Sequence, residues 1–236
     1  MAKVDVHEGK TVVDTLVLVK IDPSRNRIRI IHDKNIKTIE EWQKVTGASV
    51  IFNGSYFREN FEPCALVLSD GQSKGPKYNR YMKGMFVAEP KRADLPRAAI
   101  LDLTRMTYIP KNSAWEQGLQ SFPVLLDPQG HIRVDSSDLK ASRTAICTTR
   151  DDCILVVHTE EAYFTLHALA AFLKKLQLNI ETALNLDGGI AAELCVKTGN
   201  LAYSHYGYQI SNYTSGNFGL KGIQSRIPMV VGVFPR

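Results

Sequence analysis

The chain has 236 residues, 44% hydrophobic and 22% charged, with a formal net charge of +5 at pH 7. These are ordinary values for a globular protein that is long enough to bury a sizeable core. The sequence has neither an apolar run approaching the ~18 residues of a membrane-spanning helix nor a block of ~5 consecutive basic residues, so we expect no transmembrane segment and no nucleic acid as a partner.

The N-terminal part is predicted to contain a β-hairpin. Residues 16–21 and 27–31 are rich in branched apolar residues, and Asp22-Pro23-Ser24 between them is a typical turn sequence. Residues 1–11 precede these strands and are expected to be flexible.

A helix and a buried strand are predicted next. Thr38 is suited to be the N-cap, Glu41 three residues later completes a capping box, and Gly47 is placed to end the helix. Residues 49–52 then predict a buried strand. The region from about residue 70 to 115 contains scattered Gly, Pro, Lys and Arg, and is predicted to consist of loops joining short strands.

The second half predicts two more hairpins and a longer helix. Leu166, Leu169 and Leu173 recur at helical spacing, and Thr165 is a candidate cap for a helix that ends near Gln177. The predicted hairpin arms are residues 122–126 with 131–134, and residues 143–148 with 153–158. The order of elements favours one α+β domain over residues 1–236, with mainly antiparallel or mixed β-sheet and a few packed helices.

The four cysteines show no spacing typical of a zinc site. Cys147 and Cys153 bracket a predicted turn, so the two residues could face each other and form a disulfide. The alternative is that both are reduced strand residues.

The most informative polar segment is Asn185-Leu186-Asp187, at the end of a predicted strand. The two-residue period of a strand places Asn185 and Asp187 on one face and Leu186 on the other. Gly188 and Gly189 follow, and a double glycine allows a sharp turn that leaves backbone N–H groups uncovered for a sugar or phosphate oxygen. By itself this segment is more typical of a structural turn than of a binding site.

Two other segments carry candidate site residues. Asn53 follows a predicted buried strand and its amide suits sugar hydroxyls or a phosphoryl oxygen, although Asn-Gly is also a common turn. Arg143 precedes Thr144 at the start of a strand, and an arginine in a pocket is a natural partner for phosphate. Glu193 is a candidate second carboxylate, or a solvent-facing strand residue. The common serine-hydrolase, P-loop, zincin and Rossmann motifs are absent.

The order of these segments resembles the phosphodiester glycosidase family, the uncovering-enzyme-like hydrolases. The matching segments are residues 53–57, 122–125, 143–146 and 183–189. The resemblance runs from about residue 12 to the C-terminus, and it implies an extracytoplasmic α+β hydrolase that cleaves a sugar from a phosphodiester. Family members usually read Asp-Gly-Gly-Gly-Ser where this chain has Ile190-Ala191 after the second glycine.

For a carbohydrate or sugar-phosphate substrate, we expect Asp187 to be the nucleophile or the base, and Arg143 and Asn53 to hold the phosphate. The further substrate-binding residues that we expect are Asn185, Gly188, Gly189, Gly54, Ser55, Thr144 and Glu193. No cofactor is expected to be required, although a carboxylate such as Asp187 also suits Ca²⁺ or Mg²⁺.

Two other functions stay open. One is a glycosidase or transglycosylase that acts on envelope polysaccharide without phosphate. The other is a non-catalytic sugar-binding envelope protein, suggested by the altered glycine run. The family resemblance implies export to the periplasm or outside the cell, although the start of the chain lacks the long apolar stretch of a signal peptide.

Overall fold

The computed structural model describes residues 1–208 and 224–236, which form an α+β fold with mainly antiparallel β-sheet. Every strand pair in this part of the chain is antiparallel. The first sheet has the order β1 (Ala2–Glu8), β2 (Thr11–Ile21), β12 (Ile154–Thr159), β11 (Thr144–Thr149), β13 (Ile180–Asn185) and β10 (Val124–Leu126). β11 and β13 are neighbours in this order. Arg143, directly before β11, and Asn185, at the end of β13, therefore lie at adjacent strand ends.

Two more sheets pack beside the first. The second has the order β15 (Leu201–Tyr206), β14 (Glu193–Thr198), β4 (Val50–Asn53), β16 (Ile227–Pro235) and β3 (Asn26–Lys37). The third has the order β6 (Gln72–Lys74), β5 (Val67–Ser69), β9 (Trp115–Ser121), β7 (Gly84–Pro90) and β8 (Ala98–Asp102).

The inner faces of the three sheets share one apolar core. Val17 of the first sheet, Phe52 of the second and Phe86 of the third belong to the same buried cluster. Two helices cover outer faces: α2 (Leu166–Lys175) lies on the first sheet and α1 (Ile39–Thr46) on the second. No helix in the described part of the chain is long and apolar enough to cross a membrane.

The helix signals in the sequence are confirmed. Thr38 and Glu41 form the reciprocal capping box, and Gly47 ends α1 in the left-handed conformation with φ 69°. The Thr165 hydroxyl caps α2 by accepting a hydrogen bond from the Ala168 N–H at 3.1 Å.

The predicted N-terminal hairpin is wrong, because the turn at Asp22 joins strands of different sheets. β2 pairs with β1 and β12, whereas β3 pairs with β16. An apolar pattern specifies which face of a strand is buried, but it does not specify the partner strand. Residues 1–11, expected to be flexible, contain the strand Ala2–Glu8, which is held by its ladder with β2.

Residues 70–115, predicted to be loops joining short strands, contain short strands of the third sheet. β7 is buried from Gly84 to Ala88 because it lies between β8 and β9, and its apolar stretch is short. No bounds for these strands could be predicted from the sequence, because Gly, Pro and basic residues flank them. The arms of the 143–158 hairpin are confirmed, whereas residues 131–134 contribute only one bridge, between Ile132 and Leu126.

All four cysteines are free thiols. The register between β11 and β12 places Cys147 opposite Leu155, while Cys153 lies in the connecting turn, where its carbonyl accepts a hydrogen bond from the Thr149 N–H at 3.0 Å. The register therefore separates the two sulfur atoms that the sequence allowed to pair.

Candidate active site

The ends of strands from all three sheets meet around residues 185–189. The Asp187 N–H donates to the Gly54 carbonyl at 3.2 Å, which ties the segment after β13 to the end of β4. From the third sheet, the Ser121 hydroxyl donates to the Asn185 carbonyl at 2.7 Å and accepts from Ser55 at 3.1 Å. The Asn185 segment is thus anchored on two sides by backbone and buried hydroxyl contacts.

Asp187 presents a partly exposed carboxylate at this meeting point. Its Oδ1 atom accepts a hydrogen bond from the Gly188 N–H at 2.9 Å. Burial raises the pKa of Asp187 to about 6, and the Gly188 hydrogen bond opposes that shift. A carboxylate with a pKa near neutrality is suited to take up or release a proton under ordinary conditions.

Arg143 lies beside the same turn as a buried cation, with 6% of its surface exposed. Its Nε and Nη2 atoms donate to the carbonyls of Phe164 at 3.2 Å and Leu139 at 2.6 Å. No carboxylate in the described part of the chain forms an ion pair with it. Burial lowers its pKa, yet a guanidinium stays charged in proteins. A buried, unpaired cation is a site for an anion.

Gly188 lies directly against the Arg143 guanidinium. A Cβ atom built on Gly188 would lie 3.5 Å from Arg143 Nη1 and 3.1 Å from the Ser142 carbonyl oxygen. The absence of a side chain therefore keeps the space over Nη1 clear.

Tyr56 links Asp187 and Arg143, and the sequence analysis did not select it. Its hydroxyl donates to the Phe122 carbonyl at 2.9 Å and accepts from Asn185 Nδ2 at 2.8 Å. Burial, together with the nearby charge of Asp187, raises the pKa of Tyr56, while Arg143 lowers it. The phenol is thus neutral and lies within electrostatic range of both charged residues. The sequence feature that could have identified Tyr56 was its position directly after the polar segment Asn53-Gly54-Ser55.

Asn53 has both ends of its amide engaged with the backbone. Its Nδ2 atom donates to the carbonyls of Asp187 at 2.9 Å and Gly54 at 3.1 Å. Its Oδ1 atom accepts from the Glu193 N–H at 3.1 Å. In this geometry the side chain joins β4, β14 and the Asp187 segment, and its hydrogen-bonding groups point away from any ligand.

The glycine N–H groups are engaged in the same way. Besides the Gly188 contact with Asp187, the Gly189 N–H donates to the Ser142 carbonyl at 2.9 Å, and Gly189 has φ 62°. The Gly54 N–H donates to the Met229 carbonyl at 2.9 Å. The double glycine therefore shapes the turn, while its N–H groups are not left open as the sequence suggested.

Three further residues selected from the sequence lie behind the site. Asn185 is fully buried and its Nδ2 atom also donates to the carbonyls of Phe122 at 3.1 Å and Leu186 at 2.5 Å. The Thr144 hydroxyl contacts His158 Nδ1 at 3.1 Å within the core. With Ser55, these side chains hold the strands that carry Asp187 and Arg143 in place.

Glu193 is also buried, contrary to the solvent-facing alternative. Its Oε1 atom accepts a hydrogen bond from the Ser225 N–H at 3.0 Å, whereas Oε2 has no partner among the described residues. Burial raises the pKa of Glu193 to about 9, with a smaller contribution from the charge of Glu40. The side chain is therefore a neutral acid within the second sheet at pH 7.

Two large apolar side chains stand exposed at the rim. Phe122, whose carbonyl contacts Tyr56 and Asn185, is 47% exposed, and Ile190, next to Gly189, is 57% exposed. Over the described ranges, no group of three or more His, Cys, Asp or Glu side chains is arranged to hold a metal ion.

The fold and site define an α+β protein in which a buried cation, Arg143, and a carboxylate with a raised pKa, Asp187, lie where strand ends of the sheets meet. Residues 46–234 match the family model described as phosphodiester glycosidase, and the chain belongs to that family. A search of curated proteins gave no significant match.

Several solved structures share the fold. The catalytic domain of zebrafish N-acetylglucosamine-1-phosphodiester alpha-N-acetylglucosaminidase, auto-inhibited by its pro-peptide, matches with 14% identity and a TM-score of 0.65 over 100% of this chain and 88% of that one. A hypothetical protein from Synechocystis matches with 16% identity and a TM-score of 0.62 over 94% and 59% of the two chains. A protein of Burkholderia pseudomallei K96243, described as exported, matches with 11% identity and a TM-score of 0.56 over 96% and 75%.

Proposed function

We propose that the protein hydrolyses the glycosidic bond of a sugar-1-phosphodiester. The observation that carries this proposal is the buried Arg143, which lacks a carboxylate partner in the described chain and lies beside the turn that carries Asp187. Family membership supports the reaction type. The zebrafish relative, by its name, acts on an N-acetylglucosamine-1-phosphodiester.

Arg143 and Tyr56 bind the phosphate in this proposal. Nη1 of Arg143 faces the space beside Gly188, and the guanidinium attracts a phosphodiester that carries one negative charge. The Tyr56 hydroxyl lies within electrostatic range of both Arg143 and Asp187 and is able to redirect its hydrogen bond from Phe122 to a phosphoryl oxygen. Asn53, which we expected on the phosphate, instead positions the Asp187 backbone.

Asp187 acts at the anomeric carbon. In the water-activating route, Asp187 takes a proton from water while the water oxygen bonds to the anomeric carbon. The bond from that carbon to the phosphate oxygen breaks, and its electron pair stays on the departing phosphate. In the nucleophilic route, Asp187 bonds to the anomeric carbon while the bond to the phosphate oxygen breaks and the phosphate leaves with its electron pair. Water then bonds to that carbon, loses a proton to solvent, and displaces the Asp187 carboxylate. Because a phosphate monoester has a second pKa of only about 6, the leaving group needs little help from a general acid.

The other residues that we expected in the site support the phosphate-binding residues and Asp187. Asn185, Ser55, Thr144 and the three glycines position Asp187, Arg143 and Tyr56 through the contacts described above. Phe122 and Ile190 at the rim offer apolar surface to the sugar ring. Ile190 occupies the place where family members usually have a glycine, so it makes this chain selective for the sugar at that edge.

The test compares a sugar-1-phosphodiester with an aryl glycoside of the same sugar. Asp187→Asn should lower kcat/KM for both substrates by roughly 10²–10⁴-fold. Arg143→Ala should lower it by about 10²-fold or more for the phosphodiester, and far less for the aryl glycoside, which lacks phosphate. The exposed Asp135→Asn and Arg150→Ala are matched controls that should leave both rates unchanged. Near wild-type phosphodiester turnover by the two site variants, with folding checked, would refute the assignment.

Two expectations from the sequence are carried as further proposals. Cation binding by Asp187 is tested by adding EDTA or CaCl₂ to the same assay, and a change in the wild-type rate that Asp187→Asn lacks would support it.

Export is supported by the related Burkholderia protein that is described as exported, and it is tested by fractionating cells of the source organism.

A further inference from the structure

A basic loop lies between β6 and β7, close to the proposed phosphate position. The loop is residues 77–83, Lys-Tyr-Asn-Arg-Tyr-Met-Lys. Asn79 Nδ2 donates to the Cys64 carbonyl at 2.9 Å, and the Cys64 N–H donates to the Tyr56 carbonyl at 2.9 Å. Two hydrogen bonds thus connect the loop to the residue that carries the site phenol.

The base of the loop is fixed by a buried amide. Gln120 Nε2 donates to the carbonyls of Asn79 at 3.0 Å and Met82 at 2.6 Å. Gln120 precedes Ser121, whose hydroxyl holds the Asn185 carbonyl. The loop is therefore supported by the same strand end, that of β9, that supports the active site.

The cations in and beside the loop form no ion pair within the described part of the chain. Residues 71–88 contain four basic residues, Lys74, Lys77, Arg80 and Lys83, and no Asp or Glu. None of the four forms an ion pair with a carboxylate of the described residues. A cluster of cations of this kind, with no acidic residue within the segment, attracts anions.

The loop also exposes two tyrosine rings. Tyr78 is 61% exposed and Tyr81 is 67% exposed. The Lys83 ammonium donates to the Tyr78 hydroxyl at 2.8 Å, and the Arg80 guanidinium lies 4.7 Å from the centre of the Tyr81 ring. These contacts hold the cations beside the rings, so the loop offers alternating charge and flat apolar surface.

The side chains of Lys77 and Tyr78 extend the loop into a cavity of about 320 Å³. Met106 and Tyr108 are among the residues on its other walls. This volume gives room for an uncharged polyol or sugar unit next to the cations.

We propose that the basic loop binds the part of the substrate beyond the scissile phosphate, and that this part is a chain of repeating phosphodiesters. The inference rests on the proposed function, because it places the first phosphate at Arg143 and Tyr56. The rest of such a substrate extends from that phosphate, and the loop is the cationic surface joined to Tyr56. In a polyol-phosphate chain, the negatively charged phosphates would pair with Lys77, Arg80 and Lys83, and the neutral polyol units would contact the two tyrosine rings.

The kinetic test uses two substrates with the same sugar, N-acetylglucosamine-1-phosphate. One is its methyl diester, and the other is its diester with a glycerol-phosphate hexamer. The wild-type protein should show a KM at least about tenfold lower for the hexamer, since exposed ion pairs add modest amounts each, and this advantage should shrink with salt. The variant Lys77→Gln/Arg80→Gln/Lys83→Gln should lose the advantage while its kcat/KM for the methyl diester stays unchanged.

The matched control is Lys44→Gln/Lys174→Gln/Lys175→Gln, which removes the same charge from exposed positions on the two helices. It should keep the hexamer advantage. A loop variant that keeps the advantage, or a control variant that loses it equally, would overturn the proposal.

A binding measurement separates this inference from the proposed function. Fluorescence anisotropy with a sugar-free glycerol-phosphate hexamer should show binding to the wild type and at least about tenfold weaker binding to the loop variant, even if neither diester is hydrolysed. A single-stranded oligonucleotide of equal charge should bind more weakly. Equal or tighter binding of the oligonucleotide would assign the loop to nucleic acid instead.

Discussion

Burial sets the chemistry of the individual site residues. Asp187 has a pKa of about 6 because its carboxylate is desolvated while only one N–H, that of Gly188, stabilises its charge. Arg143 is desolvated too, and it pairs with carbonyl groups in place of a carboxylate. Both groups are thus held at a desolvation cost, and a bound phosphodiester would offset the cost for Arg143.

The Asp187 pKa predicts how activity depends on pH. In the proposed reaction Asp187 must be deprotonated, whether it is the nucleophile or the base, so kcat/KM should fall about tenfold for each pH unit below about 6 and level off above it. The measurement is a pH profile of kcat/KM from pH 4 to 8 with the methyl diester. The residual activity of Asp187→Asn should lack this acidic limb, and a variant that retained it would assign the limb to another group.

The positions of Asp187 and Arg143 are set by the turns and strand ends that carry them. The segment after β13 is held by Gly54 from the second sheet and by Ser142 from the start of β11. A Cβ on Gly188 would be tight against the Ser142 carbonyl oxygen, at 3.1 Å, and would occupy the space beside Arg143 Nη1. The turn therefore couples the position of Asp187 to that of Arg143.

Gly188→Ala should damage activity more than stability. Its added methyl would lie 3.1 Å from the Ser142 carbonyl oxygen, so the backbone next to Arg143 must shift by a few tenths of an ångström, and it would stand in van der Waals contact, at 3.5 Å, with Arg143 Nη1. A displacement of this kind in a reacting geometry should lower kcat/KM by roughly 10–10²-fold, measured with the methyl diester beside a thermal melt. The control, Gly130→Ala, has φ 76° and open space around its added methyl. It should cost about 1 kcal/mol of stability and leave kcat/KM unchanged, so equal activity losses in both variants would contradict the prediction.

A buried acid inside the second sheet affects the stability of the whole molecule. Glu193 keeps its proton up to pH about 9 in the folded protein, whereas an unfolded glutamate releases it near pH 4.3. Between these values the folded state binds more protons than the unfolded state, so the free energy of unfolding falls as pH rises.

Glu193→Gln should remove this pH dependence. The amide is neutral at every pH and close in shape to the protonated acid. The variant should therefore melt at a temperature similar to the wild type near pH 4 and at a higher temperature near pH 8. The measurement is Tm against pH for both proteins, and a Tm difference that stays constant with pH would show that Glu193 is not the responsible group.

Local signals in the sequence determined the elements whose formation depends on near neighbours. The capping box at Thr38, the end of α1 at Gly47, the cap of α2 and the 143–158 hairpin all follow from contacts a few residues apart. The order of the polar segments also predicted the α+β class and the phosphodiester glycosidase family, which the match over residues 46–234 confirms.

Only the tertiary structure decided which strands pair and which polar groups remain available. β2 and β3 are adjacent in the sequence but belong to different sheets, because strand pairing is a long-range choice. Asn53 and Gly189 looked like ligand groups, yet they form hydrogen bonds with backbone atoms distant in sequence. The Gly188 N–H donates to the carboxylate of the neighbouring Asp187. The alternation of basic and tyrosine residues in the basic loop is visible in the sequence. Its connection to Tyr56 and the absence of acidic partners in the described chain arise from folding.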